Sequence, residues 1–97
     1  IIINTNEDNS LPNIVNISFS KEKVKVDSDA VIIKLDLAGI AVSSGSACTS
    51  GAVQPSHVLK AIGYDDETAK SSLRISIGRF NKIDEIDYFI GCLNGII

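Results

Sequence analysis

Cys48 is the residue whose surroundings point most directly to chemistry. It lies within residues 43–54, Ser-Ser-Gly-Ser-Ala-Cys-Thr-Ser-Gly-Ala-Val-Gln, where small residues dominate and periodicity is lost. Most free cysteines behave as small buried hydrophobes. Here Gly45, Ser46, Thr49, Ser50 and Gly51 can bury little, and the glycines loosen the backbone. A loop of about a dozen residues usually reflects function or disorder. A thiol at its tip is accessible, able to travel, and nucleophilic as the thiolate. Arg74 is the second candidate. It falls on the polar side of Ser72-Leu73-Arg74-Ile75-Ser76. There a planar fork of donors could grip a carboxylate, although many such arginines only pair with a surface acid. His57, nine positions after Cys48, could act as a base toward the thiol or simply support the fold. Arg79, beside Gly78, reads as solvated, and Cys92 reads as packed against the core. The serine-glycine loop lacks the G-x-x-x-x-G-K-[ST] phosphate cradle, and no acid or histidine cluster has metal-ligand spacing.

Strands and helices must hold these residues. Ile1 to Ile3 can form an edge strand, and residues 4–13 are turn-rich. Val15, Ile17 and Phe19 alternate with polar residues, as in a strand with one buried face. Asp27-Ser28-Asp29 supplies an N-cap and early acids for a helix running to about Ala38. Val31, Leu35 and Ala38 share one face of it, Ile32 lies beside them, and Gly39 suits its C-cap. Ile40-Ala41-Val42 reads as a short apolar strand. Pro55 should open a short helix ending at Gly63, and Asp65-Asp66-Glu67 should cap another. Leu73, Ile75 and Ile77 alternate again as a strand. Asn81 can cap a last helix with Asp84 and Glu85 in its first turn and Ile86, Phe89, Ile90 and Leu93 on its apolar face. The order predicts an α/β or α+β layer, one domain spanning residues 1–97, with helices packed on a small sheet.

Composition narrows the classes further. Hydrophobic side chains make up 44% of the 97 residues and charged ones 22%, with no Trp. The core must therefore be aliphatic, within an otherwise ordinary globular composition. A net charge of −3 and the lack of a basic stripe argue against nucleic acid as the main partner. Lys21, Lys23 and Lys25 with Glu22 read as a solvated turn. No apolar run approaches the roughly 18 residues of a membrane span. The absence of Met and the Ile1-Ile2-Ile3 opening suggest a piece of a longer protein. Cys48 and Cys92 form no C-x-x-C pair, so a reducing compartment is expected, the cytoplasm or the mitochondrial matrix.

Several blocks together resemble one family. Residues 43–51 resemble the active-cysteine loop of pyridoxal-phosphate-dependent cysteine desulfurases of the long-loop class that serves iron–sulfur assembly and nitrogen fixation. Leu11-Pro12-Asn13, Asn16-Ile17-Ser18-Phe19, Pro55-Ser56-His57-Val58-Leu59, residues 71–80 and Asp84-Glu85-Ile86-Asp87 match in order with the right gaps. Ser10 departs from the arginine usual in the family before Leu-Pro-Asn, and His57 can be Tyr in relatives, so no catalytic role is assigned to it.

The resemblance implies the C-terminal small domain of a fold-type I aminotransferase-like enzyme. Pyridoxal phosphate would be bound by a separate large domain, because none of the seven lysines here sits in a segment like that cofactor site. It implies conversion of L-cysteine to L-alanine, with Cys48 receiving sulfur as a persulfide and Arg74 holding the substrate carboxylate. A homodimer, and an iron–sulfur scaffold or other sulfur acceptor as partner, are also implied. Residues 43–54 are then expected to be poorly ordered or displaced without the large domain. Two other readings stay open: a thiol redox or peroxidase domain using Cys48, and a non-enzymatic small α/β binding module.

Overall fold

The computed structural model describes residues 1–20, 26–44, 48, 49 and 52–97, with residues 48, 49, 52 and 53 described by their backbone alone. Three strands form its main sheet: β1 (Ile2–Ile3), β2 (Ile14–Ser18) and β5 (Ser72–Ser76), in the order β1-β2-β5 and antiparallel throughout. Asn16 stands opposite Arg74, and Ile17 opposite Leu73. Because side chains alternate along a strand, Ile17 and Leu73 share one face while Asn16, Ser18, Ser72 and Arg74 share the other. The chain between β2 and β5 holds α1 (Ser28–Leu37), a two-rung hairpin of β3 (Cys48–Thr49) and β4 (Ala52–Val53), and two short helices, α2 (His57–Ala61) and α3 (Asp66–Lys70). Helix α4 (Ile83–Ile96) follows β5.

Helices α1 and α4 cover the apolar face. The core is Ile17, Phe19, Val31, Leu35, Leu73 and Leu93, with Leu35 and Leu73 fully enclosed. Full burial of a leucine side chain stabilises by about 1.5–3 kcal/mol, and Val15, Ile32, Ile75 and Phe89 among others pack against these six from the sheet and both helices. The helix starts follow from local chemistry, a side-chain oxygen accepting from a backbone N–H that has no helical partner. Asp27 accepts the Asp29 N–H at 3.0 Å, Ser56 the Leu59 N–H at 3.4 Å, and Asp65 the Thr68 N–H at 2.9 Å. Gly39 and Gly63 follow α1 and α2 with positive φ. That conformation disfavours any side chain with a Cβ, which is why glycine ends these helices.

Several expectations need correcting. Ile40-Ala41-Val42 is not a strand. The Ile40 N–H turns back to the Leu35 carbonyl at 2.9 Å to close α1, and pairing with β5 is limited to one bridge at Ser43. Residues 43–54 are not wholly without regular structure, since β3 and β4 pair within them. Their expected disorder falls partly on residues 45–47, 50 and 51, outside the described residues, as does the turn at Lys21, Lys23 and Lys25. Pro55 precedes the cap of α2, which is Ser56. Asn81 also lies one residue before its expected capping position. Lys82 is the cap residue of α4, while Asn81 accepts the Gly78 N–H at 2.8 Å and donates to Glu85 at 2.7 Å. The Lys82 N–H donates to the same Glu85 carboxyl at 3.3 Å. These two bonds, the one from Asn81 foremost, favour the charged form and hold the Glu85 carboxyl below its ordinary value. Ile90, expected on the apolar face of α4, is exposed, whereas Cys92 does pack against the core.

Candidate active site

The candidate residue Arg74 lies on the polar face of the sheet. At one end that face is closed: Ser18 and Ser72, directly opposed, are fully buried. Ser18 Oγ accepts from Asn4 Nδ2 at 2.8 Å. Ser72 Oγ donates toward the Ala69 carbonyl at 3.0 Å and the Ser44 carbonyl at 3.3 Å. Two buried hydroxyls are tolerated because each has a partner. Further along β5 the face opens, and Arg74 is exposed. Among the described residues no carboxylate pairs with it, which removes the surface ion pair that would make it an ordinary arginine.

Arg74 is tied to the segment carrying Cys48 through its backbone. Its N–H donates to the Ser43 carbonyl at 2.6 Å, and its carbonyl accepts the Ser43 N–H at 3.2 Å. With Ser72 holding Ser44, two consecutive residues at the root of the loop are pinned to β5. Cys48 follows five residues after Ser43. An extended chain spans at most about 3.6 Å per residue, so the Cys48 backbone stays within about 18 Å of the Ser43 anchor. At the other side of the loop, Ser56 fixes the start of α2. The loop is therefore anchored at both ends, the first of them on the strand that carries the guanidinium.

The other sequence candidates stand apart. His57 is exposed at the first position of α2. The Arg79 guanidinium lies over the neighbouring Phe80 ring at 4.7 Å from its centroid, and both residues are exposed. A cation over an aromatic face is a favourable contact in itself and needs no ligand to explain it. Cys92 lies on α4, against the apolar core. A groove of about 510 Å³ runs between Ile40–Val42, Ile75–Ile77 and the first turns of α4, where the chain diverges from β5 beyond the Ser43 bridge; Arg74 does not line it. Sequence reasoning passed over Asn4 and Asn16. Both asparagines look like turn or strand-surface residues, and only the strand register sets Asn16 opposite Arg74 with Asn4 bonded to it from the other side.

The described residues do not form a pyridoxal phosphate site. A Schiff-base lysine is activated by desolvation or a neighbouring cation, and Lys34, Lys60, Lys70 and Lys82 are all exposed. Lys60 pairs instead with Asp66 at 2.8 Å. No group of three or more His, Cys, Asp or Glu side chains is placed to hold a metal among the described residues.

Arg74 thus lies on the polar face of a small antiparallel sheet, paired through its backbone with Ser43 at the start of the segment that leads to Cys48. Residues 1–89 match the family model for aminotransferase class-V. The chain belongs to that family. It is 45% identical over 97 residues to the cysteine desulfurase IscS of Pseudoalteromonas translucida, which is all of this chain and 22% of that protein. It is 47% identical over 90 residues to the IscS of Serratia proteamaculans, covering 93% of this chain and 21% of that one. Among solved structures, a NifS-like protein from Rickettsia africae superposes with a TM-score of 0.69 at 35% identity, over 89% of this chain and 20% of its own. A second NifS-like protein gives 0.75 at 31% identity, over 97% of this chain and 22% of its own. The small sheet with helices packed on it is thus the fold expected from the sequence. The chain spans about a fifth of the length of the relatives it matches.

Proposed function

We propose that this chain is the substrate-facing C-terminal small domain of a cysteine desulfurase. The observation that carries the reading is the pair of backbone hydrogen bonds between Ser43 and Arg74, which roots the Cys48 loop on the strand bearing the carboxylate-binding arginine. Arg74 grips the carboxylate of L-cysteine through paired hydrogen bonds and fixes its orientation. The Cys48 thiolate attacks the substrate sulfur. The carbon–sulfur bond breaks, a sulfur–sulfur bond forms, and the substrate carbon keeps the electron pair and takes up a proton. L-cysteine and a thiol become L-alanine and a persulfide, with atoms and electrons balanced. Pyridoxal phosphate, for which the described residues form no site, would be held by a further domain and would supply the electron sink. Cys48 then presents the sulfur to an acceptor such as an iron–sulfur scaffold, in a homodimeric enzyme of the cytoplasm or mitochondrial matrix.

Mass spectrometry of the full-length enzyme after L-cysteine treatment tests the reading. Cys48 should gain one sulfur atom. Cys48→Ser should lose that gain and alanine release, while L-cysteine still perturbs the cofactor's absorbance. Normal alanine release by that variant would sink the assignment.

A further inference from the structure

Asn16 stands directly opposite Arg74 on the polar face of the sheet. The Asn16 backbone faces β1: its carbonyl accepts the Asn4 N–H at 2.9 Å and its N–H donates to Thr5 Oγ1 at 2.7 Å. The Arg74 backbone faces the opposite way, toward Ser43. Asn16 and Arg74 are therefore a non-hydrogen-bonded pair. In such pairs the Cα atoms approach to about 4.5 Å and the side chains stand closest. Both project from the polar face, where it turns from buried to exposed.

The orientation of the Asn16 amide is set by its neighbour. Asn4 Nδ2 donates to Asn16 Oδ1 at 2.6 Å and to Ser18 Oγ at 2.8 Å. Reversing the Asn4 amide would strand two N–H groups in place of one oxygen, so the donor direction holds. With its oxygen occupied, half-buried Asn16 keeps its NH₂ group as a donor that no partner takes among the described residues. The arrangement carries a cost, since Asn4 Oδ1 is buried without a hydrogen bond. Such an unsatisfied group usually costs about 1–3 kcal/mol. A buried orphan of this kind calls for an explanation. Aiming a second donor beside a guanidinium supplies one.

We infer that Asn16 is a second substrate-binding residue, donating its side-chain amide to the carboxylate that Arg74 holds, and that Asn4 is its positioning residue. This rests on the proposed binding of L-cysteine at Arg74. A carboxylate has about four lone-pair sites, and a guanidinium fork fills two of them. The amide takes a third and fixes the rotation of the carboxylate about the arginine plane. The site thereby selects α-amino acids over amines that lack the carboxylate.

The test is steady-state kinetics on the full-length enzyme with L-cysteine, alongside inhibition by L-alanine and by cysteamine, which lacks the carboxylate. Asn16→Ala should raise KM for L-cysteine and Ki for L-alanine about tenfold, leave kcat little changed, and leave Ki for cysteamine unchanged. Asn4→Ala should shift the same two constants in the same direction by less. Asn16→Asp still accepts from Asn4, so it should fold, and it should bind L-cysteine more weakly than Asn16→Ala because it sets a carboxylate against a carboxylate. Equal weakening toward cysteamine would show a structural effect and overturn the inference. So would an unchanged KM in Asn16→Ala, or undiminished L-cysteine affinity in Asn16→Asp. If Arg74→Lys is impaired while these variants are normal, only the role of Asn16 falls. If Arg74→Lys is also normal, the proposed carboxylate site falls with it.

Discussion

Replacing Arg74 with lysine separates charge from geometry. Both backbone polar groups of Arg74 are committed to Ser43, at 2.6 and 3.2 Å, and its side chain is exposed. Neither the ladder nor the core depends on that side chain, so stability should change by no more than about 0.5 kcal/mol. Lysine keeps the positive charge but replaces a rigid two-pronged donor with a point charge on a flexible stem. One of two parallel hydrogen bonds to the substrate carboxylate is lost. A hydrogen bond to a charged group is worth about 1.5–3 kcal/mol. At about 1.4 kcal/mol per tenfold in rate, kcat/KM for L-cysteine should fall about ten- to a hundredfold. The assay is alanine release by the full-length enzyme, paired with thermal unfolding of wild type and variant. An unchanged kcat/KM would return Arg74 to an ordinary surface residue. A fall matched by a large drop in Tm would equally refute the reasoning, because the strand rather than the fork would then be the cause.

Three further outcomes are expected. The 97-residue chain alone should fold but release no alanine from L-cysteine, because its described lysines are exposed and form no cofactor site; cofactor-dependent alanine release by this chain would overturn that. Leu35→Ala removes a fully buried side chain from the core beneath α1, and should destabilise by about 2.5–5 kcal/mol. That corresponds to a Tm lower by at least about 10 °C for a domain of this size, and a shift of a degree or two would contradict the packing. The folded-state pKa of Glu85 is lowered, so its stabilising contribution is present above the ordinary carboxylate value and is lost as pH falls through the lower folded value. The stability gap between wild type and Glu85→Gln should therefore be present at neutral pH and close in acid; a gap independent of pH would exclude the charge as its source.

Local chemistry made much of the molecule legible from sequence. Alternation marked β2 and β5, because a strand with one buried face must repeat every two residues. Asp27 and Asp65 marked helix starts, because a side-chain oxygen there satisfies backbone N–H groups that have no other partner. Cys48 and Arg74 stood out because their residue types disagreed with a purely structural role in their surroundings. What stayed hidden depends on contacts between residues far apart in the chain. Ile40–Val42 has the composition of a strand, yet closing α1 through the Ile40 N–H competes with pairing to β5, and only the Ser43 bridge survives. Ile90 is exposed because α4 packs through Phe89, Leu93 and Ile96 instead, and which face of a helix meets the core is set by tertiary packing.

The residues themselves, through type and spacing, determined the faces of β2 and β5, the caps at Asp27 and Asp65, the family and the two candidate groups, since each rests on near neighbours in the chain. Only the tertiary structure decided that Ser43 bonds to Arg74 across 31 positions, and that Asn4 donates to Asn16 across 12. Register is a property of paired strands, and a slip of one residue would turn Asn16 into the core and Ile17 into the site.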